Sequence, residues 1–434
     1  MSRRIWLAYG MAMLLIVALS SQIFAEKITL QVWDWGDIKS QERWNQYAEK
    51  YSAINPNVKI EAKVLDFGSY MQKLPVAIAG GTAPDIITTA TETSNFVTVA
   101  KLGGFVDLKP FIEKDTEVSL DAWQPGAISS FTIDGKLYAL PSGSNYPDMV
   151  WYNADLLDKA GLAYPTPKWT SDDFLTYATK LTKRDAGGKV TQWGLCMFDL
   201  TGVYRQWLWE NGTSLFNSSI TEFTGASPKA KEVFEKINHI LFKSGAVPDA
   251  GVFEAAGVPS YEFFSTGKLG MDVWGHWVAP RFARMNKFRW AGVSVPLFKA
   301  GVQHMPALDV QGFGISAKSA HKKEAYEFIK WYITQSLSDL LKGPYGSNVV
   351  PAFIPVANSL DWLKSPPGIA TNMIINNDVK IGRPNPATVK EWKAIDVFNQ
   401  YAGTTIFSKS VDNVGKLLDE AKVKIEKWLK EYKD

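Results

Sequence analysis

The chain has 434 residues, 46% hydrophobic and 21% charged, a composition that excludes a disordered chain and suits a globular protein of two or three domains. A formal net charge of +3 provides no basic field for nucleic acid or anionic lipid. The single cysteine, Cys196, excludes an intramolecular disulfide and a cysteine-based metal cluster, and between Leu195 and Met197 it reads as a small buried apolar residue.

The first stretch, MSRRIWLAYGMAMLLIVALSSQIFAEK, places Arg3 and Arg4 before an apolar run from Ile5 to Leu19, with Ala25 as a plausible last residue before cleavage. This pattern predicts a secretory signal peptide over 1–25. The apolar run is shorter than the roughly 20 residues of a spanning helix. No cysteine near the cleavage site can take a lipid anchor, so the exported product is expected in a periplasm, free of the membrane. No later segment is long and apolar enough to cross a bilayer.

Ile28 to Trp33 alternates and predicts a strand. Trp44, Tyr47, Ala48 and Tyr51 then share one helical face, and Asn55-Pro56 ends that helix. Val58, Ile60, Ala62 and Val64 alternate as a second strand, a helix follows from about Ser69 to Ala79, and Ile86-Ile87 reads as a short buried strand. Strand, helix, strand, helix, strand is the order of a parallel sheet with crossover helices, whose ligands bind beyond the carboxyl ends of the strands. Further on, IDGKLYALP predicts an Asp-Gly turn into a strand, and MVWYN a short strand. WTSDDF starts a helix with Thr170 as N-cap and Asp173 at the box position. Pro228 to Lys243 reads as an amphipathic helix, and Val414, Leu417, Leu418, Ala421, Ile425, Trp428 and Leu429 form the apolar stripe of a docked C-terminal helix.

The sequence shows little catalytic apparatus. Gly80-Gly81 lacks the Lys-Ser/Thr of a phosphate-binding loop, and Gln311-Gly312-Phe313-Gly314 lacks the third glycine of a dinucleotide fingerprint. The four histidines have no metal-ligand spacing, and no Gly-x-Ser-x-Gly elbow occurs. Neither a catalytic residue, a metal nor a cofactor is therefore expected. The outlier is aromatic content: 17 Trp, 16 Tyr and 23 Phe suggest flat rings for stacking, with half or more of them plain core. An exported, aromatic-rich α/β protein of this kind favours binding over turnover.

The segment YMQKLPVAIAGGTAPDII closely resembles a signature of the extracellular solute-binding proteins of ATP-binding-cassette importers, in the sugar-binding group that includes maltose-binding protein. GGFVDLKPFI, DGKLYALP, WYNADLLDKAGL with WTSDDF, FSTGKLGMDVWGHW and FGISAKSAHKKEAYEFIKWYIT resemble further segments of that group in the expected order, over essentially the whole chain after the signal. Pro75 inside the signature helix departs from the pattern and is expected to kink it or shift its start.

The resemblance implies a two-lobed α/β fold of the type II periplasmic-binding kind, with a ligand cleft between the lobes. The lobes are placed at 26–141 with 297–335, and at 142–296 with 336–434. The chain is expected to cross near Ser142 to Tyr146 and near Gly292 to Pro296. By the same resemblance Glu92 and Asp37 offer carboxylates to a sugar diol, with Trp33 and Trp35 beside Asp37, one of the two rings being core. Trp277, with Trp274 as its rival, stands where a stacking tryptophan is carried, and His276 lies between them as a surface residue or a ligand donor. Asn145 and Tyr146 are expected on the hinge side, and Tyr204, Arg205 and Trp392 on the second wall. The implied function is capture of a sugar or oligosaccharide by a monomer that delivers it to the permease of an importer. A polyamine, a peptide or a glycerol phosphodiester is the alternative solute. A secreted glycoside hydrolase would share the aromatics but needs a carboxylate pair about 5–9.5 Å apart across the cleft.

Overall fold

In the computed structural model, β1 (Ile28–Trp35), β2 (Val58–Leu65) and β3 (Ile86–Ala90) are parallel in the order β3-β1-β2 and are joined by α1 (Ile38–Ile54) and α2 (Phe67–Ala79). It describes residues 27–432 apart from Glu92, Pro147, Phe198, Asp199, Asn286, 337–349 and Ala387, and without the side chains of Ser144, Asn145 and Tyr146. The expected signal peptide lies outside the described residues.

Both helices start on a capping aspartate just past a strand end: Asp37 accepts from the Ser40 backbone N–H at 3.0 Å, and Asp66 from that of Ser69 at 2.9 Å. Trp44, Tyr47 and Tyr51 are buried along α1, as their spacing predicts. Trp44 stacks on Tyr332 with centroids 5.7 Å apart, and Tyr51 meets Phe328 of α6 (Lys322–Trp331) edge-on at 4.9 Å. α2 begins at Phe67 and runs through Pro75, so the proline neither ends it nor delays its start. Pro75 has no N–H for the carbonyl of Met71 one turn back. The side chain of Asn95 donates to that carbonyl instead, at 2.9 Å, which satisfies the group the proline strands. Gly80 caps the helix and Gly81 takes the left-handed φ of +69° that turns the chain toward β3.

β12 (Ala307–Ile315) continues this sheet, antiparallel to β3, and carries β6 (Leu140–Tyr146) and β13 (Arg383–Pro384) on its other side. The Asp-Gly turn joins β4 (Thr132–Ile133) to β5 (Lys136–Leu137), with Asp134 and Gly135 both at positive φ, the requirement of a tight primed turn. The second sheet runs β11 (Trp290–Ser294), β7 (Met149–Asn153), β10 (Leu269–Trp274), β9 (Val190–Met197), β8 (Lys183–Arg184). On it packs α3 (Ser171–Leu181), with the Thr170–Asp173 capping box in place, while α4 (Thr201–Glu210), which follows β9, packs on α5 (Pro228–Phe242). α8 (Val389–Phe398) and α9 (Val414–Glu431) also belong to this lobe. Leu418, Ala421, Ile425 and Leu429 of α9 are buried.

β6 pairs with β12 through Tyr146, and β11 pairs with β7 through Ser294. The chain therefore leaves the two sheets after Tyr146 and Ser294, and β13 returns to the first sheet at Arg383–Pro384, inside the 336–434 stretch placed with the second lobe.

The segment between β11 and β12 is tied firmly to the second lobe. The indole N–H groups of Trp169 and Trp207 donate to the carbonyls of Ser294 and Pro296 at 3.0 and 2.8 Å, and Ser171 Oγ donates to that of Phe298 at 2.6 Å. Much of the tryptophan surplus is therefore structural: a ring that fills a core and a donor that fixes a linker. Farther along this segment His304 sits between two buried carboxylates. Its Nδ1 lies 3.2 Å from Glu210 Oε1 at the end of α4, and its Nε2 lies 3.2 Å from Asp378 Oδ1 on α7 (Ile369–Ile381). Burial would push the imidazole down, but the Asp378 and Glu210 carboxylates outweigh it and raise it to about 9, so the ring is cationic at neutral pH.

Candidate functional site

A cleft of about 950 Å³ opens between the lobes at the carboxyl end of β1. Its first wall is Asp34, Trp35 and Asp37, followed by Arg43 and Trp44 of α1 and Phe67 at the start of α2. Tyr261, Trp277 and Arg281 face them from the second lobe, and Asp309 and Gln311 of β12 lie below.

On the first wall Trp35 and Trp33 are two residues apart and so share one face of β1. Both are half-buried, and neither is the core ring of the expected pair. Trp35 meets Tyr70 and Phe67 edge-on, at 5.1 and 5.8 Å, and reaches the cleft. Trp33 does not border the cleft and lies beneath the Lys63 ammonium, 5.4 Å from its centroid. Asp37 borders the cleft while capping α1. Burial pushes its carboxyl up, but the Ser40 hydrogen bonds and the nearby Arg43 and Arg281 guanidiniums hold it below the usual range. Asp34 went unread in the sequence. It accepts from the Trp44 indole at 2.6 Å and from the Trp35 N–H at 2.8 Å, and burial pushes its carboxyl up against those bonds. The signal was present: Leu30, Val32 and Asp34 share the buried parity of β1, and a carboxylate there, at the strand's carboxyl end, is out of place in a core.

On the second wall Trp277 is half-buried, with Tyr261 and Trp274 edge-on at 5.6 and 5.5 Å. The Arg281 guanidinium lies 5.2 Å from the Trp277 ring and 5.3 Å from that of Tyr261. Trp274 stands behind this pair and does not border the cleft. His276 is neither on the surface nor in the cleft: it is 0% exposed, between Trp151 and Trp362 at 6.1 and 5.3 Å. Among the described residues neither of its ring nitrogens has a hydrogen-bond partner, and burial alone drives its ionisation down to about 3. Gly275 and the following turn let the chain fold inward there, so the residue between two candidate rings faces the core.

The structure separates Tyr204, Arg205 and Trp392 from this cleft. They line a second cavity of about 650 Å³ inside the second lobe, between α4, α5 and α8. Arg205 lies 5.3 Å over the Trp392 ring and donates to Asn385, whose amide donates to the Thr91 carbonyl of the first lobe at 3.0 Å. Thr201, one turn before Arg205 on α4, borders both cavities. Asn145 and Tyr146 occupy β6 opposite Val310 and Asp309, but their side chains, like the whole of Glu92, lie outside the described residues. Among the described residues no group of three His, Cys, Asp or Glu is placed to hold a metal, and no helix is long and apolar enough to cross a membrane.

Residues 35–336 match the family described as bacterial extracellular solute-binding protein. A Brucella abortus protein provisionally named a binding protein is 26% identical over 315 residues, which are 70% of this chain and 69% of that one. Among solved structures, an ABC substrate-binding protein of Listeria monocytogenes in complex with cycloalternan superposes with a TM-score of 0.78 at 24% identity, covering 93% of this chain and 99% of that one. The maltose/maltodextrin-binding domain of Bdellovibrio bacteriovorus bound to maltotriose gives a TM-score of 0.70 at 16% identity, covering 93% and 100%. Both share this two-lobed architecture.

Proposed function

The chain belongs to the bacterial extracellular solute-binding proteins, carriers and not enzymes, and from that premise we propose that it captures a sugar or oligosaccharide in the interlobe cleft for an ABC importer. The observation that carries this reading is the pairing of Trp35 on one wall with Trp277 and Tyr261 on the other, around Asp34, Asp37 and Arg43. A sugar offers C–H faces to flat rings and a rim of hydroxyls to fixed acceptors and donors, and a closing cleft serves both at once. The cycloalternan and maltotriose held by the two structural neighbours support a carbohydrate here too. Ligand bound to both walls favours the closed arrangement over the open one, and the permease reads that population shift. In this reading the chain works as a monomer in the periplasm after its leader is removed.

A thermal-shift screen against mono- and oligosaccharides, polyamines and peptides tests the reading. A ligand at a hundredfold excess over its Kd adds about 2.7 kcal/mol, a rise of several degrees in Tm. A shift with a polyamine or a peptide and none with any sugar would overturn it.

A further inference from the structure

The second-lobe cavity is lined by a buried guanidinium with one nitrogen that, among the described residues, has no hydrogen-bond partner. Arg205 is 5% exposed, and among the described residues it forms no ion pair. Its one hydrogen-bond partner is the neutral Asn385, and its Nη2 has none. Glu391 stands near enough to feel the guanidinium, and burial pushes its carboxyl up against that charge, but among the described residues no hydrogen bond or ion pair joins the two. Charged groups are seldom buried without a partner, because desolvation costs several kcal/mol. The ring of Trp392 and the amide of Asn385 hold the guanidinium in place and carry no negative charge themselves.

We infer that this cavity is a subsite for the carboxylate of an acidic sugar residue, with Arg205 as the group that reads it. The inference rests on the carbohydrate reading of the cleft. Thr201 borders both cavities and Arg205 lies one turn further along α4, so a chain of sugars lying in the cleft reaches the guanidinium by passing Thr201. Leu241 and Phe407 line the space beside it and suit the C–H face of a pyranose, while Asp396 and Thr404 at the exposed rim suit its hydroxyls. A guanidinium presents a planar fork that matches a carboxylate. One buried positive charge balances one carboxylate. A phosphate monoester dianion would leave negative charge beside Glu391.

Calorimetric titration of a hexuronate disaccharide and of its neutral hexose counterpart tests this. The wild-type chain is expected to bind the uronate at least tenfold more tightly. Arg205→Gln removes that preference by weakening the uronate far more than the neutral sugar, and Arg205→Lys keeps part of it. Thr404→Trp, which places an indole at the exposed rim of the cavity and leaves Arg205 itself in the sequence, also removes it and covers the case in which the Arg205 variants fail to fold. Equal affinities in the wild type, or an equal loss for both sugars in Arg205→Gln, overturn the subsite while the carbohydrate reading stands. Binding of neither disaccharide, nor of any sugar in the wider screen, overturns both.

Discussion

Raising the pH from 6.5 to 9 should destabilise this protein through one residue, His304. In the native state Glu210 and Asp378 keep its imidazole protonated up to about pH 9. In the unfolded chain it titrates near 6.5. Below that pH both states carry the proton, and the contribution of the ion pairs to stability is fully present. Between 6.5 and 9 the native state holds one proton more than the unfolded state, so stability falls by about 1.4 kcal/mol per pH unit. Across the window the loss is about 3 kcal/mol. The side chain is only 13% exposed, so solvent screening takes little from that figure. The assay is the urea midpoint of residues 26–434 at intervals from pH 6 to 9.5, for the wild type and for His304→Gln. With an m-value of about 3 kcal/mol per M, the wild-type midpoint drops by roughly 1 M over the window, and that drop is absent from the variant. A flat wild-type profile, or the same drop in both proteins, would refute the argument that the two carboxylates hold a proton on His304.

His276 should give the opposite limb. Its native ionisation is pushed down to about 3, so the unfolded chain binds the extra proton below pH 6.5 and stability falls as the pH drops, by about 2 kcal/mol at pH 5. His276→Leu flattens that limb in the same urea series, and a slope unchanged by the substitution would mean that another group causes it. Trp277→Ala should weaken sugar binding by roughly 1–3 kcal/mol, the order expected for losing one contact ring, while moving the urea midpoint less than a buried tryptophan would. A variant that binds normally but unfolds early would make the ring structural and turn the search for a stacking platform to Trp35 on the other wall.

The elements of the first lobe were legible because its signals are local. Alternation in β1 and β2, the aromatic stripe of α1 and the Asp-Gly turn each depend on a few neighbouring residues. The passage of α2 through Pro75 was not legible, because it depends on Asn95, a residue of the next helix that supplies the missing donor. The end of β6 at Tyr146 likewise depends on β12, which lies far along the chain. A strand ends where its partner stops pairing, and the partner is not written in the strand.

The candidate site was legible in the same measure. Trp35, Asp37 and Trp277 sit at the ends of elements whose direction the pattern gives, and the structure brings all three to the cleft. His276 and Arg205 sit beside such residues in the sequence, yet their surroundings are assembled from Trp151 and Trp362 in one case and from Trp392 and Asn385 in the other. Sequence proximity to a cleft residue therefore says little about facing the cleft, since one step along a turn can reverse the side chain's direction. What distinguishes the two buried residues is charge. An imidazole can shed its proton and remain in an apolar pocket, whereas a guanidinium cannot, so burial of Arg205 favours an anion placed against its open nitrogen. That difference makes His276 a group that titrates with the fold and Arg205 a group that waits for a ligand.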